Sequence, residues 1–451
     1  MNNNTPKVSI VVPSLNSISY IRECIDSILN QTLKEIEILC IDAHSSDGTL
    51  EILKDYEKKD KRLRVILSDK KSYGYQMNLG IKEAKGEYLG IVESDDYIKK
   101  NMYERLYEVA KKNDCEVVKS DFEIFKHDEK EYVHVARNSC ANLYDRKVNF
   151  RTNFEIFIDS DGINQIGIYR LDLFRINQIK LNETPGASYQ DNGLWFQIFA
   201  FAKTIYFINE AFYMLRRDNP NSSVKSKEKV YCACEEYDFI RNFLKQHPDF
   251  EKTLAPICAL HRFGNYMFTL ERIDEKYKLD FLKRFSQDFR KILKDKELDE
   301  NLLGPINMQK LNSIVENPTR YYYFSTGAKS RLQNQLAYRL GKAIISARSF
   351  KKILKLPFLV CKIYLEYRFE RKVYKSLLKL RPDLKHPPLE CYLDYNEALA
   401  IKEHLSYKFG KLILSSLKGW YKGKIFLLPF KLARTYKKHK NIFKGQKNGK
   451  I

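Results

Sequence analysis

Glycine and proline are scarce, 18 and 13 in 451 residues, which excludes collagen-like and low-complexity chains. The nine cysteines contain no C-x-x-C pair, so no zinc ribbon is encoded. Cys24 and Cys40 fall inside apolar periodic segments, where a free thiol serves as a small hydrophobe, and a reducing compartment is expected. No apolar run reaches the roughly 18 residues needed to span a bilayer. The polar stretch Met1–Lys7 leads straight into an apolar strand and does not read as a secretory leader. The expectation is a soluble protein or a peripheral one on the cytoplasmic face of the cell membrane. The eight histidines form no H-E-x-x-H, and neither a G-x-G-x-x-G nor a Walker loop occurs, so a zinc hydrolase and a nucleotide-binding P-loop are not indicated. There is no internal repeat.

What remains is 44% hydrophobic, 13% aromatic and 30% charged, a globular composition long enough for two or three domains. The net charge of +22 is unevenly placed: residues 321–451 hold 30 Lys/Arg against 7 Asp/Glu, and residues 1–320 hold 49 against 50. A neutral body with a basic end suggests chemistry in the body and a polyanionic partner at the end. The expected division is a first domain over residues 1–225, with halves at about 1–125 and 126–225, then a helical extension over 226–320 and a basic helical region over 321–451. The turn-rich 218–226 marks the first boundary.

Short apolar runs alternate with helical patterns from the start. Val8–Val12, Ile36–Ile41, Arg64–Leu67 and Tyr88–Val92 read as strands, while Ile21, Ile25, Ile28 and Leu29 recur at helical spacing. Helices are expected over Gln76–Ala84, Met102–Lys112 and Leu194–Ala202, and another strand near Glu116–Lys119. This alternation predicts an α/β fold, a mostly parallel sheet with helices on both faces. Ligands of such sheets bind beyond the carboxyl ends of the strands, which selects Pro13–Asn16, Asp42–Asp47 and Glu93–Asp96.

Glu93-Ser94-Asp95-Asp96 ends a hydrophobic strand. Clustered carboxylates repel one another unless a cation lies between them, and Mg²⁺ or Mn²⁺ held by one or two carboxylates completes its shell with phosphate oxygens. The bland alternative is an acidic helix N-terminus. Asp47 suits a helix cap. Asp42 precedes that cap, where a carboxylate can accept from a base N–H.

The ordered set Val8-Ser9-Ile10-Val11-Val12-Pro13-Ser14-Leu15-Asn16, Asn30-Gln31-Thr32, Ile41-Asp42 with Ser45-Ser46-Asp47-Gly48-Thr49, Asn78-Leu79-Gly80-Ile81, Ala84-Lys85-Gly86-Glu87-Tyr88 and Glu93-Ser94-Asp95-Asp96-Tyr97 resembles the family 2 glycosyltransferases. These are inverting, nucleotide-sugar-dependent enzymes of the GT-A (Rossmann-like) fold. The resemblance covers about residues 7–120 and extends weakly to about 225. It implies that Pro13, Ser14 and Asn16 line the nucleotide, that Asp42 reads the uracil of a UDP-sugar, and that Asp95, with Glu93 in place of the first Asp of the D-x-D motif, binds a divalent metal. Gln190-Asp191 resembles the acidic pair whose second member, Asp191, is the catalytic base; the alternative is a helix cap. Trp195 is expected at the acceptor groove or in the core, and Arg216 at the diphosphate or on a solvated surface. Ala43, Met77 and Gln190 depart from the family pattern. Gln190 removes a charge beside Asp191, which on its own lowers the Asp191 pKa.

The implied reaction places a base on the acceptor side and a cation on the phosphate side. The implied partners are a UDP-sugar and a saccharide or lipid-linked saccharide of surface polysaccharide assembly. Residues 401–451 carry 14 Lys/Arg and a single acid, interleaved with Ile413, Leu417, Trp420, Phe426, Leu427 and Phe430. This pattern fits an interfacial helix on an anionic membrane, or a face packed on the protein, better than a nucleic-acid site; no nucleic-acid partner is expected. The competing reading is an inactive glycosyltransferase-like scaffold associated with membrane or nucleic acid.

Overall fold

The structure, a computed structural model, describes residues 5–126, 131–135, 143–159, 162–220, 222–325, 327–347, 355–380, 382, 385–386, 388–392, 394–418 and 426–448. It divides into two compact units, Met1–Phe281 with Lys291–Leu302, and Leu282–Arg290 with Leu303–Ile451. The first unit therefore includes helices after residue 226 that the sequence sets apart as an extension.

In the first unit β1 (Val8–Ser14), α1 (Ile21–Leu29), β2 (Ile36–Asp42), α2 (Thr49–Lys59), β3 (Leu63–Leu67), α3 (Tyr73–Glu83) and β4 (Tyr88–Ile91) alternate. Both faces of β1 and β2 are buried along their whole length, as covered parallel strands require. Ile21, Cys24, Ile25 and Ile28 turn one stripe of α1 into the core they share with Val8, Ile10 and Ile38. Ser72 caps α3 by accepting from the Tyr75 amide at 3.2 Å, so the helix begins three residues before the apolar pattern does.

The chain continues through β5 (Tyr97–Ile98), α4 (Met102–Asn113), β6 (Val117–Lys126), β7 (Glu131–Val135), β8 (Lys147–Val148), α5 (Ile156–Asp159), β9 (Gly167–Arg170), α6 (Leu171–Asn177), α7 (Gln190–Phe201) and β10 (Ile205–Arg216). The sheet order is β3-β2-β1-β4-β9-β6-β10-β5, with β7 beside β6 and β8 beside β10. From β3 to β4 the pairing is parallel, as expected. Beyond β4 the sheet is mixed, because β9 enters antiparallel to both β4 and β6 while β10 runs parallel to β6. The parallel half puts the carboxyl ends of β1, β2 and β4 on one edge.

Helix α7 is apolar around its circumference, with Leu194 to Ala200 buried. Such a helix needs cover on every side, and α8 (Cys232–Gln246) packs against it. Next come α9 (Pro248–Arg272), α10 (Glu275–Lys294), α11 (Glu300–Leu303) and α12 (Pro305–Glu316).

The second unit is helical in its described residues, taking in α12 and then α13 (Pro318–Ser325), α14 (Ala328–Gln333), α15 (Leu336–Ser346), α16 (Leu356–Leu380), α17 (Tyr395–Glu403), α18 (Leu405–Lys418) and α19 (Leu428–Asn448). A small core gathers Ala328, Leu332, Tyr392, Ala398 and Ile401. Helices α15 and α18 approach backbone to backbone, with Phe409 and Ile413 of α18 buried. Of the apolar residues expected at a membrane in the 401–451 stretch, Ile413 is thus covered inside this unit, while Leu417, Phe426, Leu427 and Phe430 are exposed. Trp420 lies outside the described residues. No described helix is long and apolar enough to cross a membrane.

Candidate active site

The edge formed by β1 and β2 is a network of short side chains. Asp42, fully buried, accepts from the Ser45 amide at 2.8 Å, the Ser45 hydroxyl at 2.7 Å and the Ser14 hydroxyl at 3.0 Å. Asn16, at a φ of 52° that Asn tolerates better than most residues, donates its amide to Ser45 Oγ at 2.8 Å and accepts from the Ser46 amide at 2.9 Å. Gln76 of α3 donates to the Ser14 and Ile41 carbonyls at 2.9 and 2.7 Å. Pro13 lies opposite Ile41, one residue before the end of β1. Asp42, Ser14 and Asn16 thus fix the shape of the loops they belong to. Met77 and Ala43 are buried in the core.

A hydroxyl pair, Ser17 with Ser94 at 2.6 Å, joins these loops to the end of β4. There Glu93 Oε1 accepts from the Tyr73 hydroxyl at 2.8 Å and from Gln165 Nε2 at 2.7 Å. Asp95 Oδ2 accepts from Asn219 Nδ2 at 2.7 Å. Asp96 is buried and accepts from the Tyr213 hydroxyl and the Arg216 amide, both at 2.7 Å. Asp96 therefore anchors β10 to this corner rather than facing a ligand. Burial pushes the Glu93 carboxyl up to about 7, with Asp95 and Asp191 adding to the rise against the two hydrogen bonds. Burial likewise raises Asp96, with Asp95 adding to the shift.

Asp191 lies in the first turn of α7, but it is not the cap: Tyr189 holds that position in a left-handed conformation. Its carboxylate accepts from Asn192 Nδ2 at 3.2 Å, and its carbonyl accepts from Asn164 Nδ2 at 2.8 Å. Burial raises its pKa, opposed by the amides of Asp191 and Asn192. The lowering expected from the neutral Gln190 is outweighed by desolvation. Gln190 is buried, accepts from the Ser188 amide, and donates to Thr184 Oγ1 at 2.9 Å and the Gly186 carbonyl at 3.1 Å. Behind α7, Glu236 of α8 accepts from the Gly193 amide at 2.7 Å, and burial lifts its carboxyl to about 8.

Gln165 and Asn164, adjacent in the chain, bond Glu93 and Asp191 respectively, and the charges of Asp95 and Asp191 both act on Glu93; the Ser17–Ser94 hydroxyl pair links this corner to the loops of Pro13, Ser14, Asn16 and Asp42. Arg216 is buried, donates to the Asp95 carbonyl at 2.7 Å, pairs with Glu23 and lies 4.6 Å from the Tyr20 ring. In this conformation its guanidinium straps the acidic corner to α1 instead of standing in solvent. Trp195 is 3% exposed and packs edge-on to Phe157 at 5.4 Å and His261 at 5.1 Å. Its ring backs the helix that carries Asp191, and it offers no open face to an acceptor. Sequence reasoning missed Tyr73, Gln165 and Asn219. Tyr73 opens the helix after β3, at the ligand-binding edge, and was findable by that rule. Asn219 falls in the turn already noted, and Gln165 carries no sequence signal.

Among the described residues no three His, Cys, Asp or Glu side chains form a metal cage. A divalent cation bridging to phosphate needs only one or two carboxylates. Glu93 Oε2 and Asp95 Oδ1 make no hydrogen bond among the described residues, and a cation would offset both the burial that raises Glu93 and the smaller contribution of the neighbouring charges. The donor set fits a hard cation.

A model of the family described as Glycosyl transferase family 2 matches residues 9–174, and a domain of unknown function matches residues 265–441. Over 219 residues the chain is 33% identical to the uncharacterized glycosyltransferase EpsJ of Bacillus subtilis, covering 48% of this chain and 62% of that one. Over 222 residues it is 32% identical to glycosyltransferase GlyG of Streptococcus pneumoniae, covering 47% of this chain and 70% of the relative. The match thus spans less than two thirds of EpsJ. A solved structure of S. aureus TarS in complex with UDP-GlcNAc aligns with a TM-score of 0.45 and 19% identity, over 70% of this chain and 90% of that chain.

Proposed function

Because the chain belongs to glycosyl transferase family 2, we propose that it moves a sugar from a UDP-sugar to a saccharide or lipid-linked saccharide, inverting the anomeric carbon, in surface polysaccharide assembly. The observation that carries this reading is that adjacent residues tie the carboxyl end of β4 to the start of α7, Gln165 donating to the Glu93 carboxylate at 2.7 Å and Asn164 to the Asp191 carbonyl at 2.8 Å. Glu93 and Asp95 would hold Mn²⁺ or Mg²⁺, which when bound neutralises charge on the diphosphate. Tyr73, Gln165 and Asn219 orient those two carboxylates. Asp191 takes the proton of the acceptor hydroxyl as its oxygen attacks the anomeric carbon on the face opposite UDP. The loops of Pro13, Ser14, Asn16 and Asp42 form the nucleotide side of the cleft. Arg216 reaches the diphosphate only by leaving its partners, so its role in this reading is to position Asp95. The basic residues 321–451 serve contact with the anionic inner face of the cell membrane.

The deciding test is a panel of UDP-sugars with and without Mn²⁺, read by thermal unfolding and by UDP release. A ligand at about a hundredfold excess over its Kd adds about 2.7 kcal/mol to the folded state. One UDP-sugar is expected to raise the midpoint only when the cation is present. Absence of any cation-dependent shift across the panel overturns the reading.

A further inference from the structure

Helix α16 has no buried residue along its 25 positions, yet it is not polar. Phe358, Leu365, Phe369, Val373, Leu377 and Leu380 are spaced 7, 4, 4, 4 and 3 apart and so share one face. Phe358 is 82% exposed, Leu365 62%, Phe369 68% and Leu380 80%. Beside this row runs a second one, Arg368, Lys372, Lys375 and Lys379, also exposed. The half-buried residues Val360, Ile363, Tyr367 and Leu378 lie on the opposite side. The helix is held from there: Arg339 of α15 pairs with Glu370 at 2.8 Å, and the Tyr374 ring stacks on His386 at 5.1 Å. One face is fastened to its unit, and the other presents an apolar stripe edged by positive charge.

We propose that α16 lies in the surface of an anionic membrane, its Phe/Leu row in the acyl boundary and its Arg/Lys row against lipid headgroups. This rests on the membrane part of the reading above and assigns the principal contact to a helix before the 401–451 stretch, because α18 there has Phe409 and Ile413 buried and the exposed Phe426, Leu427 and Phe430 form a shorter cluster than the row on α16. Charge selects the occupant. The helix carries six basic residues against two acidic ones, so a second copy docked face to face would bring like charges together. Nucleic acid would use the basic row and leave the Phe/Leu row in water. Anionic lipid satisfies both rows at once, and eight charges preclude a bilayer-spanning arrangement.

The test uses the full chain with phosphatidylcholine vesicles, with and without phosphatidylglycerol, read by co-sedimentation. The wild type is expected to bind only the anionic vesicles, more weakly as salt rises. Leu365→Glu/Phe369→Glu should lower vesicle affinity about a hundredfold, and Lys372→Gln/Lys375→Gln/Lys379→Gln at least about tenfold. The thermal midpoint and UDP release in solution should stay unchanged, since these side chains are exposed. Wild-type binding that survives Leu365→Glu/Phe369→Glu overturns the assignment to α16 and leaves the membrane reading standing. Absence of wild-type binding sinks both, while UDP release still scores the transferase reading. A wild-type dimer that this variant dissociates, or nucleic-acid binding lost only in the lysine variant, also overturns the proposal.

Discussion

One buried amide, Gln190, and two acids, Asp191 and Glu236, set the chemistry at the start of α7. Gln190 stands where the family pattern has an acid, and its hydrogen bonds explain why: its Nε2 donates to Thr184 and Gly186, which a carboxylate cannot do. Gln190→Glu should therefore cost about 1–3 kcal/mol in denaturant unfolding through unsatisfied buried acceptors. The charge of Asp191 acts on Glu93 at the end of β4, and Asp191→Asn removes the base of the proposed reaction while keeping shape and volume. Transfer should fall at least about a hundredfold, with UDP affinity by calorimetry unchanged; near-normal turnover would move the base elsewhere. Glu236 supplies a pH-dependent term. Its carboxyl, raised by burial from 4.5 to about 8, is neutral in the native state at lower pH and must ionise in the interior as pH rises through 8. Stability is fully retained below about 4.5, where both states are protonated, is lost progressively as pH rises to about 8, and levels off above that, where both states are ionised. Glu236→Gln keeps the oxygen that accepts from Gly193. It should raise the thermal midpoint at pH 9 by the equivalent of a few kcal/mol at most, each pKa unit being about 1.4 kcal/mol, and leave it unchanged near pH 4. An equal shift at both pH values would mean that packing rather than ionisation is at work.

At the scale of elements, helix contacts depend on what is missing as much as on what is there. A Cβ on Gly410 would come within 1.5 Å of the Ala337 carbonyl oxygen, and one on Gly341 within 1.7 Å of that of Ser406. Both obstacles are backbone and cannot swing aside. Gly410→Ala should push α15 and α18 apart and cost about 1–3 kcal/mol, measured by urea unfolding of the full chain. These glycines also show where sequence reading stops. The strands β1 to β4 were legible because each is a short β-branched or apolar run ended by polar residues. The antiparallel β9 and the twelve-residue β10 (IYFINEAFYMLR) were not, since their aromatic and charged residues alternate irregularly around register shifts between Phe207 and Tyr213. In the basic tail, apolar spacing identifies helices without saying which face is covered. The close backbone approach buries Ile413, whereas the stripe on α16, equally apolar in sequence, is left open. Of the residues in the proposed site, Glu93 and Asp95 follow from the strand-end rule and Asp191 from the family resemblance, whereas Tyr73, although open to the same strand-end rule, and Gln165 join them through the fold.

For the whole molecule, the most consequential difference between the sequence boundary and the structure is at residue 225. The turn at 218–226 looks like the end of a domain, yet the first unit runs to Phe281 and takes in Lys291–Leu302 as well. The reason is α7. Its apolar circumference is closed on one side by the sheet and on the other by residues beyond 225: Glu236 bonds the Gly193 amide at 2.7 Å, the Tyr189 and Thr269 hydroxyls meet at 2.8 Å, and His261 reaches the Phe157 carbonyl at 2.6 Å. Phe250 packs on both Phe150 and Phe201. A chain ending at 225 would expose Trp195 and its neighbours to water and free the helix that carries Asp191. Such a fragment is expected to aggregate, or to unfold without a cooperative transition in urea, and to give no cation-dependent stabilisation by UDP-sugars, whereas the full chain gives both. If residues 1–225 unfold cooperatively with the midpoint of the full chain, α8 and α9 are an appendage and Asp191 is held by the sheet alone. If they fail, the helices after the turn are part of the unit that folds around Asp191, although the family match at residues 9–174 stops short of them.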